Sequence, residues 1–219
     1  MYFKMVAVCL AIALAPVMYA GIITNGDFQT GNLTGWTIYQ TPTGSNGTGY
    51  PIATQFDVTG GGSTYAATFN VGMVSGTTGK ADYEGGGIYQ SVSLAAGSVT
   101  ISFDWAENNI YTGLNVSAGR LELLLDGAVI GTQADQQIQG GQILRGNLSG
   151  TSSVLAGSHE IRIQVTRNYG NPGTTPFEYI DNVTATGGTS TGTPEPGSSL
   201  LILAGMGVLL ARRRLKNPV

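Results

Sequence analysis

Apolar and polar residues alternate one by one through much of the middle of the chain, the period of a strand with one buried face. Ile88, Gln90, Val92 and Leu94 alternate with Tyr89, Ser91 and Ser93. Ala96-Gly97 turns the chain, and Val99, Ile101, Phe103 and Trp105 carry the next apolar face, so the pattern predicts a hairpin about that turn. Leu121, Leu123 and Leu125 predict another strand, with Asp126-Gly127 as a hairpin turn into Val129 and Ile130. A polar, Gln-rich stretch follows over residues 133–142. After Ala156-Gly157, Ile161, Ile163 and Val165 alternate with Arg162, Gln164 and Thr166, and a last strand over residues 179–185 carries Ile180 and Val183 across Asp181-Asn182. Upstream, Phe56 and Val58 and, beyond the Gly60-Gly61-Gly62 run, Tyr65, Ala67 and Phe69 predict two short strands loosely connected. No helix-period run of useful length interrupts them. The body, residues 21–186, is therefore expected to be all-β, an antiparallel sandwich, and roughly 170 residues suffice for a two-sheet core.

Both ends depart from this pattern. Residues 1–20 carry one early charge, Lys4, an apolar run from Met5 to about Val17 and a cleavage point after Ala20, which reads as a signal helix that directs export through the Sec translocon and signal peptidase. Met18 stands where such sites usually have a small residue. Cys9, the only cysteine, lies inside this run behind Val8, so the mature chain is expected to hold no thiol and no disulfide. At the other end a linker over residues 187–193 precedes Pro194-Glu195-Pro196, an apolar run over residues 199–211 and the basic cluster Arg212, Arg213, Arg214 and Lys216. As a helix that run measures about 20 Å at about 1.5 Å per residue, short of the roughly 30 Å hydrocarbon core. The arginine stems extend it, and their charge holds the end cytoplasmic.

That order of parts, over residues 194–216, resembles the PEP-CTERM sorting signal of exported bacterial proteins. The resemblance implies an exosortase as partner, a membrane-anchored stage before processing, and delivery to the cell surface or extracellular matrix. It covers about the last eighth of the chain and says little of the body. An ordinary tail anchor is the plainer reading of the same residues.

Charge narrows what the body does. Over residues 21–193 five basic residues face twelve carboxylates, a net of minus seven, so no phosphate-tracking stripe exists and nucleic acid is excluded as a partner. The stretch NGDFQTGNLTGW, residues 25–36, sets Phe28, Leu33 and Trp36 as apolar anchors between turn dipeptides, and Trp36 is expected in the core. Together with IYQSVSLAAGSVTISFDWAE, residues 88–107, it resembles galactose-binding-like and carbohydrate-binding jelly rolls. That likeness implies a jelly roll that binds or scaffolds extracellular polysaccharide, and a structural Ca2+ held by Asp27 of the first loop and Asp181 of the final strand. Gln29 stands where an acidic ligand is frequent; a neutral amide there weakens such a site, and Asx-turn roles explain Asp27 and Asp181 equally well.

Candidate chemistry is otherwise sparse. Tyr50, Tyr83 and Tyr111, in or beside loops like Tyr39, are the expected sugar-stacking residues, although single exposed aromatics are also common. His159 is the only histidine, which removes a histidine metal cluster and leaves no basis for a nucleophilic triad. Asp104 and Glu107 are the carboxylate pair a glycosidase would need, and the reading favoured here makes them ordinary residues at a strand end. The expected function is non-enzymatic polysaccharide binding or scaffolding. A purely structural or adhesive domain is the first alternative and a polysaccharide-active enzyme the second.

Overall fold

A computed structural model describes residues 22–74, 83–113, 115–168 and 175–187. The signal peptide, most of the linker and the sorting tail expected from the sequence lie outside the described residues. Among the described residues every regular element is a strand. In chain order these are β1 (Thr37–Gln40), β2 (Gly44–Ser45), β3 (Ile52–Phe56), β4 (Thr64–Phe69), β5 (Gly72–Met73), β6 (Glu84–Leu94), β7 (Gly97–Asn108), β8 (Val116–Ser117), β9 (Arg120–Leu125), β10 (Ala128–Gln133), β11 (Gln137–Ile138), β12 (Ile143–Val154), β13 (Gly157–Arg167) and β14 (Phe177–Gly187).

Two five-stranded sheets, β1-β6-β13-β9-β10 and β12-β7-β14-β4-β3, pack face to face, with the two-stranded ribbons β2-β5 and β11-β8 at their margins. All pairings are antiparallel. Ile88, Val92, Leu121, Leu123, Ile161 and Ile163 of the first sheet meet Val99, Ile101, Phe103, Trp105, Leu148 and Ile180 of the second in one continuous core. This is the two-sheet sandwich that strand-period alternation in both sheets demands.

One connection differs from expectation. β6 pairs with β1 and β13, and β7 with β12 and β14, so residues 88–105 form no hairpin. The turn before Gly97 carries the chain from one sheet to the other, and the two apolar faces meet across the core. Alternation reports which faces must be buried together; it is silent on which edges share hydrogen bonds. The β12–β13 turn at Gly157 crosses between sheets in the same way. By contrast the β9–β10 hairpin forms at Asp126-Gly127, with φ of 51° and 79°, the twin left-handed pair of a tight hairpin turn.

The first loop is moored as its anchors predict. Phe28 is fully buried, Trp36 is buried with its ring centroid 5.8 Å from that of Phe28, and its Nε1 donates to the Asn25 carbonyl at 3.1 Å. Buried Gln90 on β6 ties the loop down: its Oε1 accepts from Thr24 N at 2.8 Å, and its Nε2 donates to the Thr24 and Gly35 carbonyls, each at 2.9 Å.

His159 latches two turns together. Its Nδ1 is 2.6 Å from Asp126 Oδ2 and its Nε2 is 2.9 Å from the Leu155 carbonyl. Both partners accept, so only the imidazolium satisfies both bonds. The hydrogen bond to Asp126 raises the imidazole pKa, and that to the carbonyl adds to it. The latch is fully formed below pH 6.5 and is lost as pH rises through the raised value.

At the end of the core where β7 and β14 pair, the interior turns polar. Glu107 and Glu178 sit opposite each other in register and face inward, each two residues along its strand from the core pair Trp105 and Ile180. Both are almost wholly buried, as is Arg167 at the end of β13. Burial, more than any charge, pushes both carboxyls up to about 8; Glu178 and Asp135 raise Glu107 further, and Arg167 opposes the shift in each. Strand alternation places Asp104 on the opposite, outer face of β7 from Glu107, so these two do not converge on a common substrate.

Candidate functional site

The outward positions of β1, β6, β13 and β9 carry a band of aromatic, cationic and amide side chains. Each comes from the polar half of a strand's alternation: Tyr39 on β1, Tyr89 on β6, Glu160, Arg162 and Gln164 on β13, Arg120 and Glu122 on β9. Tyr39 crosses over Gly87, where an added Cβ would lie 3.0 Å from its hydroxyl and its ring edge. A residue with a side chain at position 87 would displace the ring from the sheet.

The band is internally ordered. The Arg162 guanidinium lies over the Tyr39 ring at 4.4 Å and beside Tyr89 at 5.5 Å, and its Nε and Nη2 donate to Glu160 Oε1 at 2.9 and 2.7 Å. Tyr39 Oη donates to Gln164 Oε1 at 3.2 Å, and Gln164 Nε2 donates to Glu122 Oε2 at 2.8 Å. Arg120 Nη2 reaches Glu122 Oε2 at 3.4 Å while its guanidinium covers Tyr83 at 4.3 Å. Tyr83 Oη closes the line by donating to Asp135 Oδ2 at 3.2 Å, and Ser117 and Gly119 fix that carboxylate from the far side. Burial raises the Tyr39 phenol well above its ordinary range, so it remains a neutral donor.

Arg162 and Arg120 keep 29% and 32% of their side-chain surface open to solvent, so the ordered groups are reachable. Five strands at about 4.8 Å spacing make the face about 19 Å wide, the span of a short oligosaccharide. Aromatic rings capped by guanidinium planes, interspersed with fixed donors and acceptors, suit a ligand with a rim of hydroxyls.

The tyrosines expected from the sequence separate in space. Tyr83 belongs to this band. Tyr50 packs edge-on against Phe177 of the other sheet, with ring centroids 5.6 Å apart. Tyr111 lies in the loop after β7, its N–H donating to Asn109 Oδ1 at 3.1 Å. Tyr39 is joined by Tyr89, Arg162 and Gln164, which sequence reasoning left as solvent-side residues. They come together only through strand register, Tyr89 opposite Arg162 across β6 and β13 and Gln164 opposite Glu122 across β13 and β9.

The expected calcium ligands lie near one another and hydrogen-bond locally, Asp27 Oδ1 accepting from Gln29 N at 3.3 Å. Gln29 Nε2 donates to the Asp27 carbonyl at 2.7 Å and to the Tyr65 carbonyl at 3.3 Å. Asp181 accepts from Thr64 Oγ1 at 2.8 Å and from Asn182 N at 2.7 Å. Burial first, then the charges of Asp104 and Asp27, raise the Asp181 carboxyl, while the Thr64 and Asn182 bonds lower it. The Gln29 amide nitrogen thus donates to two backbone carbonyls, and as arranged this side chain turns a donor, not a ligand oxygen, toward them, which does not suit it as a Ca2+ ligand. Calcium and chelator are each expected to leave the melting temperature of the protein unchanged, whereas Gln29→Glu makes it rise with added calcium. A calcium-dependent melting temperature in the unaltered protein would count against this assignment.

No family model and no curated protein matches the chain. Solved structures do. A carbohydrate-binding module, TmCBM61 in complex with β-1,4-galactotriose, aligns over 76% of this chain and 98% of its own at 14% identity, with a TM-score of 0.45. CBM36 in complex with calcium and xylotriose aligns over 68% and 99% at 17% identity, with a TM-score of 0.32. The enzymatically active domain of bacteriophage CBA120 tailspike protein 4 aligns over 75% and 21% at 17% identity, with a TM-score of 0.42. Likeness at this distance carries no argument about ligand or activity, which rest on the geometry above.

Proposed function

We propose that the sandwich is a non-catalytic glycan-binding domain and that it binds an extracellular polysaccharide along the outer face of β1-β6-β13-β9-β10. One observation carries the reading: Tyr89, Arg162, Tyr39, Gln164, Glu122, Arg120 and Tyr83 form a single run of guanidinium-capped rings and fixed polar groups across four strands. Such a face reads hydroxyl patterns and ring faces with little reorganisation on binding. Retardation of the full-length protein in gels containing soluble neutral polysaccharides tests the reading. Retention in at least one polysaccharide, without release of reducing ends, is expected; absence of retention across the panel favours the structural or adhesive alternative.

The delivery of this domain is proposed from Pro194, Glu195, Pro196, Arg212, Arg213 and Arg214: export, transient membrane anchoring, recognition by an exosortase, and release to the surface or matrix. The intact mass of the protein recovered from its host's outer surface is expected to lack the apolar run and to regain it when the exosortase is removed. A mass that still includes residues 200–219 in both backgrounds would make the tail a plain anchor.

A further inference from the structure

The opposite face of the sandwich carries a cavity that the glycan-binding band does not use. It lies outside the β12-β7-β14-β4-β3 sheet, under the loop over residues 57–63, and is lined by Val58, Thr59, Asp104, Arg145 and Gly146 with a volume of about 280 Å³. That is just below the usual range for small-molecule pockets, about 300–1,000 Å³, and of a size for one sugar ring.

Each wall is fixed by contacts of its own. Asp104 Oδ1 accepts from Asn147 Nδ2 and Oδ2 from Asn182 Nδ2, both at 2.9 Å. Asn182 reaches it because β14 bulges between Asp181 and Thr184 and holds Asn182 at φ 52°. Arg145 Nε donates to the Asp57 carbonyl at 3.1 Å, and its Nη2 lies 3.9 Å from Asp57 Oδ2. The loop closes on itself through Asp57 Oδ1, which accepts from Gly60 N at 2.7 Å and Gly62 N at 3.1 Å. Val58, 1% exposed, pins the loop into a small apolar cluster with Ala66, Ala106 and Tyr179, against which Phe56 packs. Gly146 lines the cavity with bare backbone, and it stays glycine because on its inward side a Cβ would lie 2.6 Å from Trp105 Cζ2.

The result is a rigid pocket with a carboxylate in one wall and a guanidinium in another, the guanidinium paired to Asp57 of the loop. Each oxygen of Asp104 keeps a second lone pair, and Arg145 keeps N–H groups beyond Nε. Two neighbouring hydroxyls of a sugar ring complement that pair, one donating to Asp104 and the other accepting from Arg145. An anionic sugar would place its charge beside Asp104 and Asp57 as well as Arg145. We propose that this pocket is a second carbohydrate site, selective for a single neutral hexopyranose such as a chain end or branch, and independent of the band on the other face.

The test is a titration of isotope-labelled full-length protein with free glucose, galactose, mannose and glucuronate, followed through the backbone amides of Thr59 and Gly146 and the Arg145 Nε–H. At least one neutral hexose is expected to move these signals saturably, with an affinity that falls by about tenfold or more in Asp104→Asn and in Arg145→Gln. Arg162→Ala, on the other face, is expected to leave the response intact. The proposal is overturned if no neutral hexose moves the three signals, if glucuronate alone does, or if the response survives both pocket substitutions. Failure here leaves gel retention by the other face untouched, and loss of that retention leaves this response untouched, so the two sites are judged separately.

Discussion

Arg162→Ala is expected to weaken polysaccharide retention by about thirtyfold, the largest single loss on the surface, because one side chain serves three neighbours. Its guanidinium covers Tyr39, flanks Tyr89 and is held by Glu160. Removing it frees both rings and takes away the fixed donor between them. Tyr39→Phe retains the ring and loses only the bond to Gln164 Oε1, so a loss of a few-fold is expected. Tyr50→Ala and Tyr111→Ala are expected to retain binding, since those rings lie elsewhere. The measurement is gel mobility against polysaccharide concentration, with circular dichroism establishing that each variant is folded. Unchanged retention in Arg162→Ala would remove the band as the binding face.

The second large effect is on stability. Glu107 and Glu178 face each other inside the sandwich with Arg167 and Asp135 as the other charges in reach, and burial raises both carboxyls from 4.5 to about 8. The folded protein therefore holds protons that the unfolded chain releases. Stability from this source is complete below about pH 4.5 and is lost as pH rises through about 8. The melting temperature is expected to fall by on the order of 10 °C from pH 5 to pH 9. Glu107→Gln removes one buried charge and keeps the shape, so it is expected to flatten the profile by raising the alkaline end. The His159 latch weakens in the same direction, and His159→Gln isolates its share. A melting temperature that is level or rising between pH 5 and pH 9 would contradict the burial of ionisable carboxyls in this pair.

What the sequence made legible was burial. The alternations at residues 88–94, 99–105, 121–125 and 161–165 correctly marked inward and outward faces, because a strand with one face in a core must show them. Pairing was not legible: the 88–105 run reads equally as a hairpin or as two strands facing across the core, and long-range partners decide. β12 escaped notice because two of its inward positions are Gly146 and Gly150, which lie against Trp105 and Ile130 and so carry no apolar signal. Trp36 was legible as core, since a large indole closing an anchored loop is best buried over the end of the sandwich.

The site was less legible for a related reason. Loop tyrosines attract attention as exposed aromatics, whereas Tyr89, Arg162 and Gln164 looked like the solvent-facing complement of buried neighbours. Their meaning comes from register: Tyr89 stands opposite Arg162 across β6 and β13, and Gln164 opposite Glu122 across β13 and β9. No local pattern contains that information. Likewise Gln29 reads in sequence as a weakened calcium ligand, and only its bonds to the Asp27 and Tyr65 carbonyls show its amide nitrogen turned toward them as a donor.

Mapping the contact surface decides the central claim most directly. With oligosaccharides cut from a polysaccharide that retards the protein, the side-chain resonances of Tyr39, Tyr89 and Arg162 in the full-length protein are expected to shift together and to saturate at one affinity. Saturable binding that leaves those three unmoved would show that the glycan is held elsewhere and that the ordered band on β1, β6, β13 and β9 serves another purpose.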